Sequence, residues 1–148
     1  MSYTNLNYHI VFSTKERRPF LAEDVLPRVC QYVGGIVRNL EGIALAVNGA
    51  PDHVHIAAVA TPKIAVSELV GAVKSNSSGW IHRTFGDLQD FRWQEGYGAF
   101  TVSRSVRDSV VRYVVDQQRH HRKLTFQQEL IALLEKHGVE YDPRYIWT

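Results

Sequence analysis

The stretch DHVHIAAVA, residues 52–60, carries two histidines, His53 and His55, on either side of one apolar residue. Its small, apolar composition predicts a β-strand, in which residues i and i+2 point to the same face. Both imidazoles would then leave the sheet on one side, close enough to bind one divalent metal ion, while Val54 and Ile56 point into a core. Two histidines in a strand are more often ordinary polar residues of that face than metal ligands, so the rest of the chain must decide between these interpretations.

Length, charge and cysteine content limit the classes of protein to consider. The 148 residues suit one domain, residues 1–148, with a substantial core. Because the formal net charge is only +2, binding to nucleic acid would need a local basic surface. Cys30 is the single cysteine, which excludes an intrachain disulfide, fits a reducing cytoplasm and predicts a small core residue of a helix. We expect no signal peptide in residues 1–7, and no apolar run approaches the roughly 18 residues of a membrane span.

Hydrophobic periodicity and turn signals predict the order β-α-β-β-α-β-(β)-α-α. Strands are expected at residues 8–13, 43–47, 53–60, 91–93 and 97–103, and helices at 23–40, 65–85, from 105 onward, and 125–137. Asn48-Gly49 predicts a hairpin turn over residues 48–52, and 105–108 and 125–128 resemble capping boxes. This order matches an α+β fold of the ferredoxin-like split βαβ type, with an antiparallel sheet, helices on one face and additional C-terminal helices. The uncovered face would then carry His53 and His55.

A second pair of residues, Tyr113 and Gln117, lies four positions apart in the helix predicted from residue 105. That spacing places both side chains on one helical face. Taken alone, the pair is better explained as a half-buried tyrosine at the edge of the core and a surface amide.

Together, these motifs carry a resemblance to a known family. The His53-Val54-His55 pair, followed by a helix with Tyr113 and Gln117, is similar to the single-tyrosine HUH transposases of the smallest bacterial and archaeal insertion sequences. The resemblance covers nearly the whole chain, including residues 8–12 with 15–19, 93–100 and the tail 117–121. Its His-His tail resembles the relatives associated with repeated palindromic DNA elements.

The resemblance implies a metal site of His53, His55 and Gln117 that holds Mg²⁺ or Mn²⁺, with Tyr113 as nucleophile. Attack of the tyrosine on a DNA phosphate would give a covalent 5′-phosphotyrosine and a 3′-hydroxyl, so that the strand can be rejoined. The implied partners are single-stranded DNA with a hairpin near the cleavage point and a second copy of the chain, whose tyrosine helix can complete the site in trans.

Several alternatives remain at this point. Two imidazoles alone would also suit zinc, and Asp52 fits a turn residue. The chain could be a domesticated relative that processes chromosomal palindromes, a ferredoxin-like nucleic-acid-binding module without catalysis, or a dimeric structural protein in which the histidines are incidental.

Basic and aromatic side chains are candidates for the DNA surface. The expected phosphate contacts are Lys15, Arg17, Arg18, Lys74, Arg83, Arg104, Arg107 and Arg112. Trp80, Phe91, Trp93 and Tyr97 could stack on bases, although core packing is favoured for most large aromatics. The basic cluster at residues 120–123 could equally stabilise a helix end. His9, His82 and His137 have no motif partner and are predicted to be non-catalytic.

Overall fold

A computed structural model describes residues 1–120 and 123–147, with His120 described for its backbone only. The described part forms a four-stranded antiparallel sheet of order β2-β3-β1-β4 and five helices. The strands are β1 (Leu6–Ser13), β2 (Ile43–Ala50), β3 (His53–Ala60) and β4 (Gly98–Val102). The helices are α1 (Leu26–Asn39), α2 (Val66–Thr84), α3 (Arg107–Val115), α4 (Gln117–His120) and α5 (Phe126–Lys136). The predicted α+β fold is confirmed. None of the described helices is long and apolar enough to cross a membrane.

One face of the sheet packs against α1 and α2 and forms the larger core. Alternation along the two central strands directs Ile10 and Phe12 of β1, and Val54 and Ile56 of β3, into this core, where each is at most 1% exposed. The predicted inward direction of Val54 and Ile56 is therefore confirmed. Cys30 on α1 is buried in the same core, as expected.

The opposite face, which carries the two histidines, is covered rather than open. Val11 and Phe100 on this face pack against Phe126, Leu130 and Leu134 of α5. Helix α3 also contacts β2 and β3. The expectation of an uncovered histidine face is therefore wrong, because the amphipathic α5 buries its apolar stripe there.

The hairpin before the histidines is tighter than the sequence indicates. Asn48 and Gly49 lie within β2, and the turn falls at Pro51 and Asp52 instead. Gly49 is required by close backbone approach, because a Cβ at this position would collide with the carbonyl oxygen of His53. Gly49 therefore serves close packing of β2 against β3 rather than the predicted turn.

Two other local predictions fail for identifiable reasons. Residues 91–93 form a single bridge, Trp93 to Thr14, rather than a strand, and their alternating aromatics simply enter the core. The predicted capping box at residues 105–108 is replaced by a short 3₁₀ turn, Arg104–Val106, and α3 starts at Arg107 without a side-chain cap. The capping box of Thr125 and Gln128 at the start of α5 is confirmed.

Candidate active site

His53 and His55 lie side by side on β3, and both side chains are fully buried. Asp52 Oδ1 lies 2.7 Å from His53 Nδ1. Because a carboxylate only accepts, Nδ1 carries the proton, and Nε2 points into the site. His55 Nδ1 lies 2.7 Å from His9 Nε2, and one of these nitrogens donates to the other. The two imidazoles are thus oriented from behind by Asp52 and His9.

Tyr113 and Gln117 approach the histidines from the helical layer of the same chain. The Tyr113 and His55 rings lie 5.8 Å apart between centroids. Gln117 is fully buried, and its Oε1 lies 3.4 Å from His53 Nε2. The structure therefore brings together the four residues that the sequence singled out.

A clasp to the sheet edge fixes the junction of α3 and α4, where Gln117 begins the second helix. Asn48 Nδ2 on β2 donates to the carbonyl oxygen of Val115 at 2.8 Å and to Gln118 Oε1 at 2.9 Å. Gln118 Nε2 donates back to Asn48 Oδ1 at 2.7 Å. These bonds hold the chain on either side of Gln117 and so direct its side chain inward.

The centre of the site is occupied by Glu129 of α5, which the sequence analysis did not identify. Its side chain is only 2% exposed. Oε1 accepts from His55 Nε2 at 2.8 Å and lies 3.4 Å from His53 Nε2. Oε2 accepts from the Tyr113 hydroxyl and from Gln117 Nε2, the latter at 3.3 Å. One carboxylate therefore connects all four predicted site residues.

Burial and this carboxylate shift the titration of the surrounding groups. Burial, together with the hydrogen bond and charge of Glu129, raises the pKa of Tyr113 above its usual value. Burial alone would lower the pKa of His53, but hydrogen bonds to Asp52 and Glu129 outweigh it and raise that pKa. Burial and the neighbouring His55 lower the pKa of His9 to about 3, which keeps its ring neutral. In this arrangement Tyr113 is a phenol, not a phenolate.

The donor atoms suit a divalent metal ion. One ligand atom each from His53, His55 and Glu129 lies within 4.8 Å of the others. The amide oxygen of Gln117 faces the same space through its contact with His53. Imidazoles alone favour transition metals, whereas carboxylate and amide oxygens extend the range toward Mn²⁺ and Mg²⁺.

The predicted DNA-contacting cations fall in three places. Lys15, Arg17 and Arg18 follow β1, where Glu16 and Arg17 adopt positive φ angles of 57°. Arg18 forms an exposed ion pair with Asp90. Arg17 lies over the ring of Trp147.

The second and third groups lie on α2 and around α3. Lys74 donates to the carbonyl oxygens of Gln94 and Gly96 at 2.8 and 2.7 Å, so it holds the loop before β4. Arg83 is exposed near the end of α2. Arg104 lies on the 3₁₀ turn, and Arg107 and Arg112 lie on α3, the helix that carries Tyr113.

Among the proposed base-stacking aromatics, Phe91 and Trp93 belong to the core. Trp80 stacks on Tyr32 with a 4.4 Å centroid distance, and Tyr97 is exposed. Of the 120–123 cluster, residues 121 and 122 lie outside the described residues.

Of the three histidines predicted to be non-catalytic, one lies at the site and two lie away from its centre. His82 binds the carbonyl oxygen of Phe91 at 2.9 Å, and His137 stacks on Phe100. His9 is the histidine that the sequence analysis set aside and that the structure places against His55.

Fold and site together define an α+β protein with a buried His–His–Glu group beside a tyrosine. Comparison with known proteins identifies the family. Residues 2–117 match the family described as "Transposase IS200 like". The chain is 34% identical over 113 residues to the transposase for insertion sequence element IS200 of Salmonella typhimurium, covering 68% of this chain and 70% of that protein. It is 29% identical over 119 residues to the ISDra2 transposase TnpA of Deinococcus radiodurans, covering 76% and 84%.

Solved structures agree with this assignment. A chain from Deinococcus radiodurans assigned as a transposase superposes with a TM-score of 0.66 at 26% identity, covering 78% of this chain and 93% of that one. The REP-associated tyrosine transposase bound to a REP hairpin superposes with a TM-score of 0.60 over 96% of this chain and 90% of that one, and at 13% identity it shows a shared fold.

The chain belongs to the IS200-like transposase family. The family match ends at Gln117. Glu129 therefore comes from a part of the chain that lies beyond the matched residues.

Proposed function

We propose that this transposase cleaves and rejoins single-stranded DNA through a covalent 5′-phosphotyrosine on Tyr113. The observation that carries the proposal is the convergence of Tyr113, Gln117 and both strand histidines on one buried carboxylate, Glu129. In the reaction, a bond forms between Tyr113 Oη and phosphorus while the bond from phosphorus to the 3′ oxygen breaks. Because the phosphodiester energy is retained in the new linkage, the strand can be rejoined by the reverse attack of a 3′-hydroxyl.

Glu129 accounts for the proton that Tyr113 loses on attack. Tyr113 Oη donates its hydrogen bond to Glu129 Oε2, so that oxygen is positioned to take the phenolic proton as attack begins. The departing 3′ oxygen takes a proton from solvent and leaves as a hydroxyl. Glu129 is buried and Tyr113 is half-buried, so the phosphotyrosine would be partly shielded from water that could hydrolyse it.

We propose that His53 and His55 hold a Mg²⁺ or Mn²⁺ ion together with Gln117, Glu129 or both. To bind through Nε2, neutral His55 would carry its single proton on Nδ1 instead, and His9 Nε2 would accept that hydrogen bond while His9 keeps its own proton on Nδ1. The bound ion would supply Lewis-acid polarisation of the scissile phosphate.

A covalent-adduct assay tests the function. Labelled single-stranded oligonucleotides that tile the DNA flanking the gene are incubated with the protein and Mn²⁺ or Mg²⁺, and the products are run on a denaturing gel. We expect an adduct that disappears in Tyr113→Phe and after chelation but persists in Tyr145→Phe, an exposed tyrosine away from the site. DNA binding with no adduct on any oligonucleotide would instead favour a non-catalytic binding module.

A second candidate function uses the same chemistry on chromosomal palindromic repeats. It is favoured by the superposition on the REP-associated transposase, which extends over 96% of this chain, beyond the family match. Adduct formation on hairpins from repeated palindromes, but not on the ends of a mobile element, would select this candidate.

We further propose that residues 1–148 act as one catalytic domain, in the cytoplasm where chromosomal DNA resides, and as a homodimer. Because Tyr113 lies beside the histidines of its own chain, each active site of such a dimer would be assembled in cis. Heterodimers of Tyr113→Phe and His53→Ala subunits should then show no recovery of cleavage. Recovery in verified heterodimers would contradict the cis arrangement.

A further inference from the structure

A cavity of about 700 Å³ opens between β4, α3 and α5, next to the nucleophile. We call it the tyrosine cavity. Tyr113, Glu129 and His9 line it where it meets the site, and Lys136 and His137 line it near the end of α5. Its volume falls within the range of small-molecule binding pockets.

The walls of the tyrosine cavity combine apolar side chains with hydroxyl groups. Val102, Val110 and Leu133 provide apolar surface, and Ser103 and Ser109 provide hydroxyls that can donate or accept. This composition suits a flat ring with a polar edge.

Two apolar residues of the cavity are unusually exposed. Val106 is 48% exposed and Leu124 is 41% exposed, although both line the cavity. Exposed apolar residues that gather around a concave site are characteristic of a ligand-binding surface.

We propose that the tyrosine cavity receives a nucleobase of the nucleotide next to the scissile phosphate. This inference rests on the proposed function, because it places a DNA phosphate at the Tyr113 hydroxyl. A phosphate at that point carries a nucleoside on each side, and the cavity is the concave apolar space that adjoins the same hydroxyl. A single-stranded base is already unpaired and can turn out of its stack into an apolar pocket.

Charge in the cavity supports the same occupant. Lys136 lies one turn beyond the cavity residue Ala132 on α5 and is exposed. Its ammonium can bind a backbone phosphate while the base enters the apolar part of the cavity. A single-stranded nucleic acid, which alternates flat bases with anionic phosphates, complements both features.

The test removes a base from the DNA substrate and, separately, fills the tyrosine cavity with a bulky side chain. Adduct rates are measured on a cleaved oligonucleotide and on versions with an abasic site at either nucleotide flanking the cut. Removing the base that occupies the cavity should slow adduct formation about tenfold or more, since one stacked base contributes on the order of a tenfold effect or greater. Ala132→Trp and Ser109→Trp change two exposed positions that line the cavity. Both variants should slow adduct formation on the intact substrate by a similar factor.

The decisive readout is the coupling between the two changes. If the base occupies the cavity, the filled variants should cleave abasic and intact substrates at nearly equal rates. Ser75→Trp, at an exposed position on α2, should behave as wild type. Tyr113-dependent adducts that form equally fast with and without each flanking base would overturn the cavity proposal and leave the proposed function standing. Absence of any adduct would overturn both.

Discussion

Replacing Glu129 by glutamine tests whether the central carboxylate is a metal ligand. The substitution keeps the shape of the side chain but removes the charge that now lies 2.8 Å from His55 Nε2 and 3.4 Å from His53 Nε2. A neutral amide can still accept from Tyr113 and can donate to His55 Nε2 once that ring carries its proton on Nδ1, and removing the charge also removes the cost of burying it. We therefore expect E129Q to fold with modestly altered stability.

The effect on the ion should be larger. Loss of one ligand from a group of three should weaken Mn²⁺ binding at least about tenfold, which corresponds to about 1.4 kcal/mol. At a fixed excess of Mn²⁺ the same free energy is lost from the ion's stabilisation of the fold. For a chain of this size, the Mn²⁺-induced rise in Tm should then be smaller by about 3–6 °C.

Thermal unfolding with and without Mn²⁺, supported by calorimetric titration, measures this difference. Glu135→Gln on the exposed side of the same helix is the matched control and should retain the full rise in Tm. An E129Q variant that binds Mn²⁺ as tightly as wild type would refute the reasoning. It would leave His53, His55 and Gln117 as the sufficient ligand set.

Three further substitutions probe the supports of the site. Asp52→Ala removes the carboxylate that lies 2.7 Å from His53 Nδ1 and orients the ring. Titration should show the Mn²⁺ affinity falling by about 10- to 100-fold. Unchanged affinity would mean that the ring needs no such support. Asn48→Ala breaks the clasp to Gln118. It should lower the free energy of unfolding by about 1–2 kcal/mol in a urea titration and slow adduct formation. An unaltered urea midpoint and an unaltered adduct rate would count against the clasp. Thr125→Ala removes the capping box of α5 and should cost about 1 kcal/mol in the same titration, whereas full stability would show that the cap contributes little.

Residue spacings within single strands and helices predicted much of the sheet and the two residue pairs of the site, but not how those pairs meet. The i, i+2 spacing of His53 and His55 predicted that both rings lie on one face. The i, i+4 spacing predicted Tyr113 and Gln117 on one face of a single helix; they do converge, but α3 ends at Val115 and Gln117 begins α4. Neither spacing predicts that these two pairs come into contact, because that contact depends on packing between elements some 60 residues apart in the chain. In the sequence analysis, their juxtaposition followed from the family resemblance alone.

Glu129 was missed although its position carried a signal. In α5 the apolar residues Phe126, Leu130, Leu133 and Leu134 follow the spacing of a buried helical face, and Glu129 falls on that face three residues after Phe126. An acidic residue in a buried stripe needs partners, and here they are histidines, a phenol and an amide. His9 had a similar signal: it alternates with Ile10 and so shares a strand face with Val11, opposite the larger core.

Local signals failed where tertiary contacts outweighed them. Asn-Gly normally marks a hairpin turn, but Gly49 is needed for close approach to β3, so the turn moves to the Pro51-Asp52 pair. The prediction of an open sheet face was wrong because the C-terminal helices must also bury their apolar stripes. Helix α5 buries its stripe against this face.

The most direct test of the account is the identity of the residue that becomes linked to DNA. Trypsin should release residues 113–119 as one peptide, because Arg112 precedes Tyr113 and Arg119 ends the segment, and Tyr113 is its single tyrosine. After nuclease trimming of the adduct, mass spectrometry should find a nucleotide 5′-phosphate on this peptide and on Tyr113 within it. A covalent nucleotide on any other residue, or cleaved DNA from an unmodified protein under the same conditions, would contradict the account.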